Sequence, residues 1–201
     1  MQEPLVCIVD DDEAIREALR LLLYSEGLQS VVYESADAYL SAGEKPKCTC
    51  MLLDIRMPGT DGPELFRILK KQHLTFPVIF ITGHGDIPLA VSAIKQGAFD
   101  FLAKPFREGE LIKKVKAAIR QFQQDRKKLE ELRNLQLRVD SCTPREQDVM
   151  KLMADGLPNK SIAESLGISP RTVEIHRAHV MEKMRADSLP ALVKMVTSLE
   201  S

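Results

Sequence analysis

The chain has 201 residues, 44% of them apolar, and its 28 Lys and Arg nearly balance its 29 Asp and Glu, for a net charge of −1. That length suits one large domain or two small ones, and the apolar share excludes a disordered chain. No apolar run reaches the roughly 20 residues of a membrane helix, and "MQEPLV" lacks the basic and apolar regions of a signal peptide, so a cytoplasmic protein with no membrane association is expected.

Along the chain, short apolar or β-branched runs predict strands at Leu5–Val9, Ser30–Tyr33, Cys50–Leu53, Val78–Ile81 and Phe99–Ala103. Between them lie helical periodicities: Ile15, Leu19, Leu22; then a short segment at Ser35–Ser41; then Leu65, Ile68, Leu69; Ile87, Val91, Ile94; and Leu111, Val115, Ala118. Several of the strands are apolar on both faces, as parallel strands covered by helices on each side must be. The alternation predicts an α/β fold with an open, doubly wound, five-stranded parallel sheet. The four cysteines, Cys7, Cys48, Cys50 and Cys142, show no metal-ligand spacing and are read as reduced residues of the core or surface.

The polar residues that follow the strands carry the chemistry. Strand one ends in Asp10 and Asp11, strand three in Asp54, strand four in Thr82 and strand five in Lys104. Ligands of such sheets bind at the carboxyl ends of the strands, where the winding reverses. Three carboxylates in a small space repel one another unless a cation neutralises them. With only hard oxygen donors at hand, Mg²⁺ is the natural ion, and it leaves coordination positions open for water and phosphate oxygens. Lys104 and Thr82 are placed to grip the remaining phosphate oxygens, and an aspartate beside Mg²⁺ can attack phosphorus. The pattern describes a phosphoryl-accepting site. Asp12, the third acid of the run, suits the N-cap of the helix that follows.

"IVDDD", "MLLDIRMPGTDG", "VIFITGHGD" and "FDFLAKPF" resemble the receiver domain of two-component response regulators over residues 1–121, and "TGHGDIPLAVSAIKQGAFDFLAKPF" resembles its FixJ-like branch. The resemblance implies a flavodoxin-like fold with Asp54 as phosphoacceptor. It implies Mg²⁺ held by Asp11, Asp54 and the backbone carbonyl of Arg56, with Asp10 contributing through water. Thr82 and Lys104 would contact the phosphoryl group, and the Lys104–Pro105 bond would be cis. Phe101 would be the switch aromatic, filling space that Thr82 vacates. Val91 and Lys95, on the face of the fourth helix, would meet a second copy on phosphorylation. His84 is read as loop structure, not a ligand.

From 122 to 140 the chain is charged and free of Gly and Pro, and the apolar rhythm of the last receiver helix continues through Phe122, Leu129, Leu132 and Val139. A helical linker is expected there, either paired with its twin or lying solvated. Thr143-Pro144-Arg145-Glu146 is a capping box that starts a helix, Gly156 ends it, "NKSIAESLG" gives a second short helix, and Ser169-Pro170 opens a third. Helix, tight turn and helix make a helix-turn-helix at residues 158–177, within a small all-α, four-helix domain over 141–201.

Residues 141–201 hold eight basic and eight acidic residues, but the segment from Pro170 to Arg185 holds four against two, so this helix alone is positive. Arg171, Arg177, Lys183 and Lys160 would grip phosphates. Glu174 could accept from a cytosine amino group and Ile175 could touch a thymine methyl, with Thr172 and His176 on the same helix. Val173, Val180 and Met184 should face the core.

This segment resembles the LuxR/FixJ-type DNA-binding domain. The two resemblances together imply a transcriptional regulator, not an enzyme, most often an activator. Its implied partners are a sensor histidine kinase, promoter DNA, RNA polymerase and a second copy of itself. Asp10-x-Asp12 also resembles the nucleophile motif of haloacid-dehalogenase-like phosphatases, and a DNA-binding protein with a vestigial receiver is a third reading.

Overall fold

The computed structural model describes residues 3–43, 45–83 and 86–200, so His84 lies outside the described residues. The chain divides into two compact units, Met1–Asp125 and Arg126–Ser201. The first contains β1 (Leu5–Val9), α1 (Glu13–Ser25), β2 (Gln29–Tyr33), α2 (Ala36–Ser41), β3 (Cys50–Asp54), α3 (Gly62–Lys71), β4 (Val78–Thr82), α4 (Ile87–Lys95), β5 (Asp100–Ala103) and the start of α5 (Glu108–Asp140).

All neighbouring strands are parallel, in the order β2-β1-β3-β4-β5. The chain winds outward from β1 to β2 and then returns to the other side of β1, so the carboxyl ends of β1 and β3 flank the switch point. Side chains alternate between two buried layers. Cys7, Val9, Met51, Leu53 and Phe80 pack with Tyr39 of α2, Leu65 and Phe66 of α3, and Ala90 and Ala93 of α4. On the other face Val6, Ile8, Leu52, Ile79 and Ile81 pack with Leu19 and Leu23 of α1 and Leu111 and Val115 of α5.

Asp54 and Thr82 are the last residues of their strands rather than the first of their loops. The ladder reaches them through the pairs Asp54↔Ile81 and Thr82↔Ala103. Site residues held by a ladder are fixed more firmly than residues on a loop.

Helix α4 buries Ala90 and Ala93, whereas Val91 and Ile94 are 42% and 36% exposed. Its larger apolar residues therefore face outward, and the small alanines meet the sheet. Cys7 and Cys48 lie side by side in the core, with Cα atoms 6.0 Å apart. Thr49 N donates to Leu5 O at 2.8 Å, which draws the residue before β3 alongside β1. Cys50 and Cys142 are free and buried.

The second unit opens within α5 and continues through α6 (Pro144–Ala154), α7 (Asn159–Leu166), α8 (Pro170–Met184) and α9 (Leu189–Glu200). Its start signals work as their chemistry requires. Thr143 Oγ1 accepts from Glu146 N, and the Glu146 carboxylate accepts from Thr143 N at 2.8 Å, which completes the capping box. Gly167 ends α7 at φ 65°, a left-handed value that glycine adopts without strain. Ser169 caps α8 through Thr172 N at 3.1 Å. Val173, Val180 and Met184 of α8 are buried with Val149, Met153, Ile162 and Leu192, and Leu135 of α5 joins them. Among the described residues no helix is long and apolar enough to cross a membrane.

Glu146 does more than close its cap. Its buried carboxylate accepts from Lys183 Nζ at 2.5 Å and lies 3.3 Å from His179 Nδ1, so it ties α6 to α8. The Lys183 ammonium, with the Thr143 amide, holds its acid at about 2, against an ordinary 4.5. A folded-state value below the unfolded one stabilises the fold at pH above the unfolded value, and that contribution is lost as the group protonates. The stability advantage of wild type over Glu146→Gln, read by urea denaturation, should be full above pH 4.5 and close as the pH falls toward 2. Separately, Gly62 N donates to Ile55 O at 3.1 Å, and a Cβ on Gly62 would run into the backbone of Asp54 and Ile55, which cannot yield as a side chain can. Gly62→Ala should therefore lower stability by about 1–3 kcal/mol in urea denaturation.

Candidate functional site

At the carboxyl edge of the sheet, β1 delivers Asp10, β3 delivers Asp54 and the turn after β5 delivers Lys104. The Lys104 ammonium bridges the other two, 3.0 Å from Asp10 Oδ2 and 2.7 Å from Asp54 Oδ1. Lys104 N donates to Thr82 O at 2.7 Å, and the Lys104–Pro105 bond is cis. The remaining carboxylate oxygens are also engaged. Asp10 Oδ1 accepts from Asp12 N at 2.9 Å and Asp54 Oδ2 from Arg56 N at 2.7 Å.

Asp10 and Asp54 are buried, 1% and 6% exposed. Burial raises the Asp54 acid above the ordinary carboxylate range, the Asp10 charge adds to this, and Lys104 offsets only part of the rise. Burial in turn disfavours the Lys104 ammonium, but its bonds to Asp54 and Asp10 hold its pKa above the ordinary lysine value. One ammonium thus serves two buried carboxylates and does not fully offset the burial of Asp54.

That shortfall bears on Mg²⁺. Among the described residues no three acidic, histidine or cysteine side chains converge into a ready metal cage. Asp11 is exposed, and its backbone carbonyl, like that of Asp10, accepts from Arg16 Nη1. Two converging, buried carboxylates nevertheless fit a hard cation that commonly binds through one or two carboxylates and keeps several waters.

Thr82 is fully buried, with Oγ1 donating to Gly83 O at 3.1 Å, and Phe101 is partly buried against the core on the α3 and α4 side. The alternative nucleophile pair of Asp10 and Asp12 is not assembled, because Asp12 turns to α1 and accepts from Ala14 N and Ile15 N. Beside Lys104, Ile15, Ala18 and Leu22 of α1 line an apolar groove with Pro105 and Phe106. Sequence reasoning missed this groove; its signal was the pairing of α1's apolar stripe with the dipeptide after Lys104. On α4, Val91 and Lys95 are exposed, with Ile94 beside them.

In the second unit the nominated residues separate into two groups. Lys160, Arg171, Glu174 and Ile175 are exposed and Arg177 is partly exposed. Thr172 lies against the α8 cap, its hydroxyl 2.8 Å from Ser169 Oγ. His176 has its Nδ1 buried without a hydrogen-bond partner. Lys183, expected to grip phosphate, instead directs its ammonium to Glu146. The i, i+4 spacing that puts His179 and Lys183 on one face of α8 turns both toward α6.

Comparison with known proteins agrees with this geometry. Residues 6–116 match the response regulator receiver domain, and residues 140–196 match the bacterial regulatory proteins of the luxR family. The transcriptional regulatory protein FixJ of Bradyrhizobium diazoefficiens is 44% identical, over 94% of this chain and 93% of its own. The response regulator protein TodT of Pseudomonas putida is 41% identical, over 98% and 86%. Among solved structures, the response regulator StyR superposes with a TM-score of 0.87 at 40% identity, covering 98% of this chain and 99% of its own. Full-length FixJ from B. japonicum gives a TM-score of 0.63 at 42% identity, over 100% and 98%. A lysine shared by two buried aspartates at the sheet edge, a helix-turn-helix in the second unit and relatives matched over nearly their whole length place the chain among the FixJ-like response regulators, transcriptional regulators that join a receiver domain to a LuxR-type DNA-binding domain.

Proposed function

We propose that Asp54 accepts a phosphoryl group from a sensor histidine kinase and that this controls binding of promoter DNA by α8. The observation that carries the reading is the single Lys104 ammonium shared by Asp10 and Asp54. Asp54 presents a carboxylate oxygen to phosphorus, the bond to the donor imidazole breaks, and an acyl phosphate forms as the imidazole takes a proton. Lys104 turns from the carboxylates to the incoming phosphoryl oxygens, and Thr82 donates its hydroxyl to them. Asp10, Asp11, Asp54 and the Arg56 carbonyl would hold Mg²⁺, which supplies charge neutralisation at the transferring group. The apolar groove beside Lys104 is where the kinase would dock.

Phosphorylation then shifts an existing equilibrium. Thr82 moves toward the phosphoryl group, Phe101 fills the space it leaves, and the α4 face with Val91 and Lys95 pairs with a second copy. Residues 1–121 act as receiver, 122–140 as helical linker and 141–201 as DNA-binding domain. Lys160, Arg171 and Arg177 position the duplex through its phosphates, while Glu174 and Ile175 read base edges. Lys183 holds α8 in place through Glu146.

Incubating the full chain with Mg²⁺ and acetyl phosphate should give an acid-labile adduct that peptide mass spectrometry maps to Asp54. The adduct should vanish in Asp54→Asn and on chelation of the metal. An adduct on Asp10, or none, overturns the reading. For DNA, Lys160→Ala and Arg171→Ala should each reduce the salt dependence of binding by about one in slope, with no change in sequence preference. Lys183→Ala should leave that slope unchanged and lower the urea midpoint.

A further inference from the structure

Asp86 occupies the N-cap of α4 but does not act as a cap. Its φ of −97° and ψ of 4° depart from the extended conformation, and no amide of the first turn donates to its carboxylate. Asp12, Ser35 and Asp61, which precede α1, α2 and α3, each accept from such an amide. The Asp86 side chain, 8% exposed, instead accepts from Arg56 Nε at 2.8 Å, while the Arg56 side chain is 74% exposed. A buried carboxylate stays charged only while something compensates it, so Arg56 fixes where Asp86, and with it the start of α4, can sit.

The position of this pair gives it a further role. Arg56 follows Asp54 by two residues and its backbone amide donates to Asp54 Oδ2 at 2.7 Å. Asp86 follows Thr82 by four residues, and β3 and β4 are adjacent strands. The ion pair therefore links the segment after the acceptor to the helix whose outer face carries Val91 and Lys95. Each partner also has an alternative. The guanidinium, on an exposed stem, can turn to a phosphoryl dianion on Asp54, an anion of higher charge. The freed carboxylate can turn to the first-turn amides of α4 and become the cap its position calls for.

We propose that Arg56 and Asp86 form a latch that holds α4 in its unphosphorylated position and opens when a phosphoryl group on Asp54 competes for the guanidinium. The latch rests on the assignment of Asp54 as acceptor and of the α4 face as the dimer contact. It sets how much of the protein is active before any phosphoryl transfer, and makes Arg56 a positioning residue through its side chain.

Sedimentation of the full chain, with and without Mg²⁺ and beryllofluoride as a phosphoryl mimic, tests it. Without the mimic, Arg56→Ala and Asp86→Ala should each tighten the dimer Kd by about five- to tenfold, a typical coupling between two sites. Arg56→Lys, which keeps the charge, should stay within about twofold of wild type. The double variant should be no tighter than either single one, because both remove the same interaction. Arg56→Ala alters an exposed side chain, so it remains informative if Asp86→Ala misfolds. The latch is overturned if Arg56→Ala leaves the mimic-free Kd unchanged, or if the two effects add. Failure of the wild-type chain to dimerise with beryllofluoride would overturn the dimer reading, and the latch with it.

Discussion

The receiver unit depends on a charge imbalance. Two carboxylates buried at the ends of adjacent strands share one ammonium, and that ammonium is bonded through its backbone to the end of a third strand. Breaking such a buried pair costs on the order of 3–5 kcal/mol, so Lys104 contributes to the fold as well as to the site. Yet the Asp54 acid stays above the ordinary range, which means that the lysine does not cancel the burial of Asp54. The site is stable enough to exist and still favours further positive charge. A divalent cation meets that demand.

The second unit handles the same problem in the opposite way. Glu146 is also a buried carboxylate, but the Lys183 ammonium and the Thr143 cap amide answer it, and its acid falls to about 2. It acts as a fixed joint between α6 and α8, and it takes the Lys183 charge out of the surface that α8 presents. The two carboxylates differ in how completely their neighbours answer them, and that difference separates a reactive site from a structural one.

Much of this was legible in the residues. The strand ends carry Asp10, Asp54, Thr82 and Lys104 because parallel strands of similar length finish at one edge, so a local pattern reports a shared place. Caps such as Asp12, Thr143 and Ser169 were equally readable, since their partners lie within three residues. What escaped was decided across the chain. Arg56 and Asp86 lie 30 residues apart, and Glu146 and Lys183 lie 37 apart, with no spacing rule to join them. The adjacency of Cys7 and Cys48 depends on how the residues before β3 run beside β1. The sheet-facing residues of α4, Ala90 and Ala93, also escaped, because periodicity weighs Val91 and Ile94 above alanine, while close approach to the sheet favours the smaller side chain.

The boundary of the DNA-binding unit has an evolutionary consequence. The luxR family match begins at residue 140, but the core it encloses begins earlier. Leu135 fills part of that core, Arg138 Nη1 donates to the carbonyl of Met184 at the end of α8, and Gln147 reaches back to the carbonyl of Val139. A gene fusion that grafted a foreign receiver at residue 140 would leave an apolar trough where Leu135 sat and strip a donor from the end of α8. A junction near Arg126, where the compact unit starts, carries these partners along. The piece that lineages can exchange intact is therefore longer than the piece that sequence similarity outlines, and it includes the final turns of a helix that begins in the other unit.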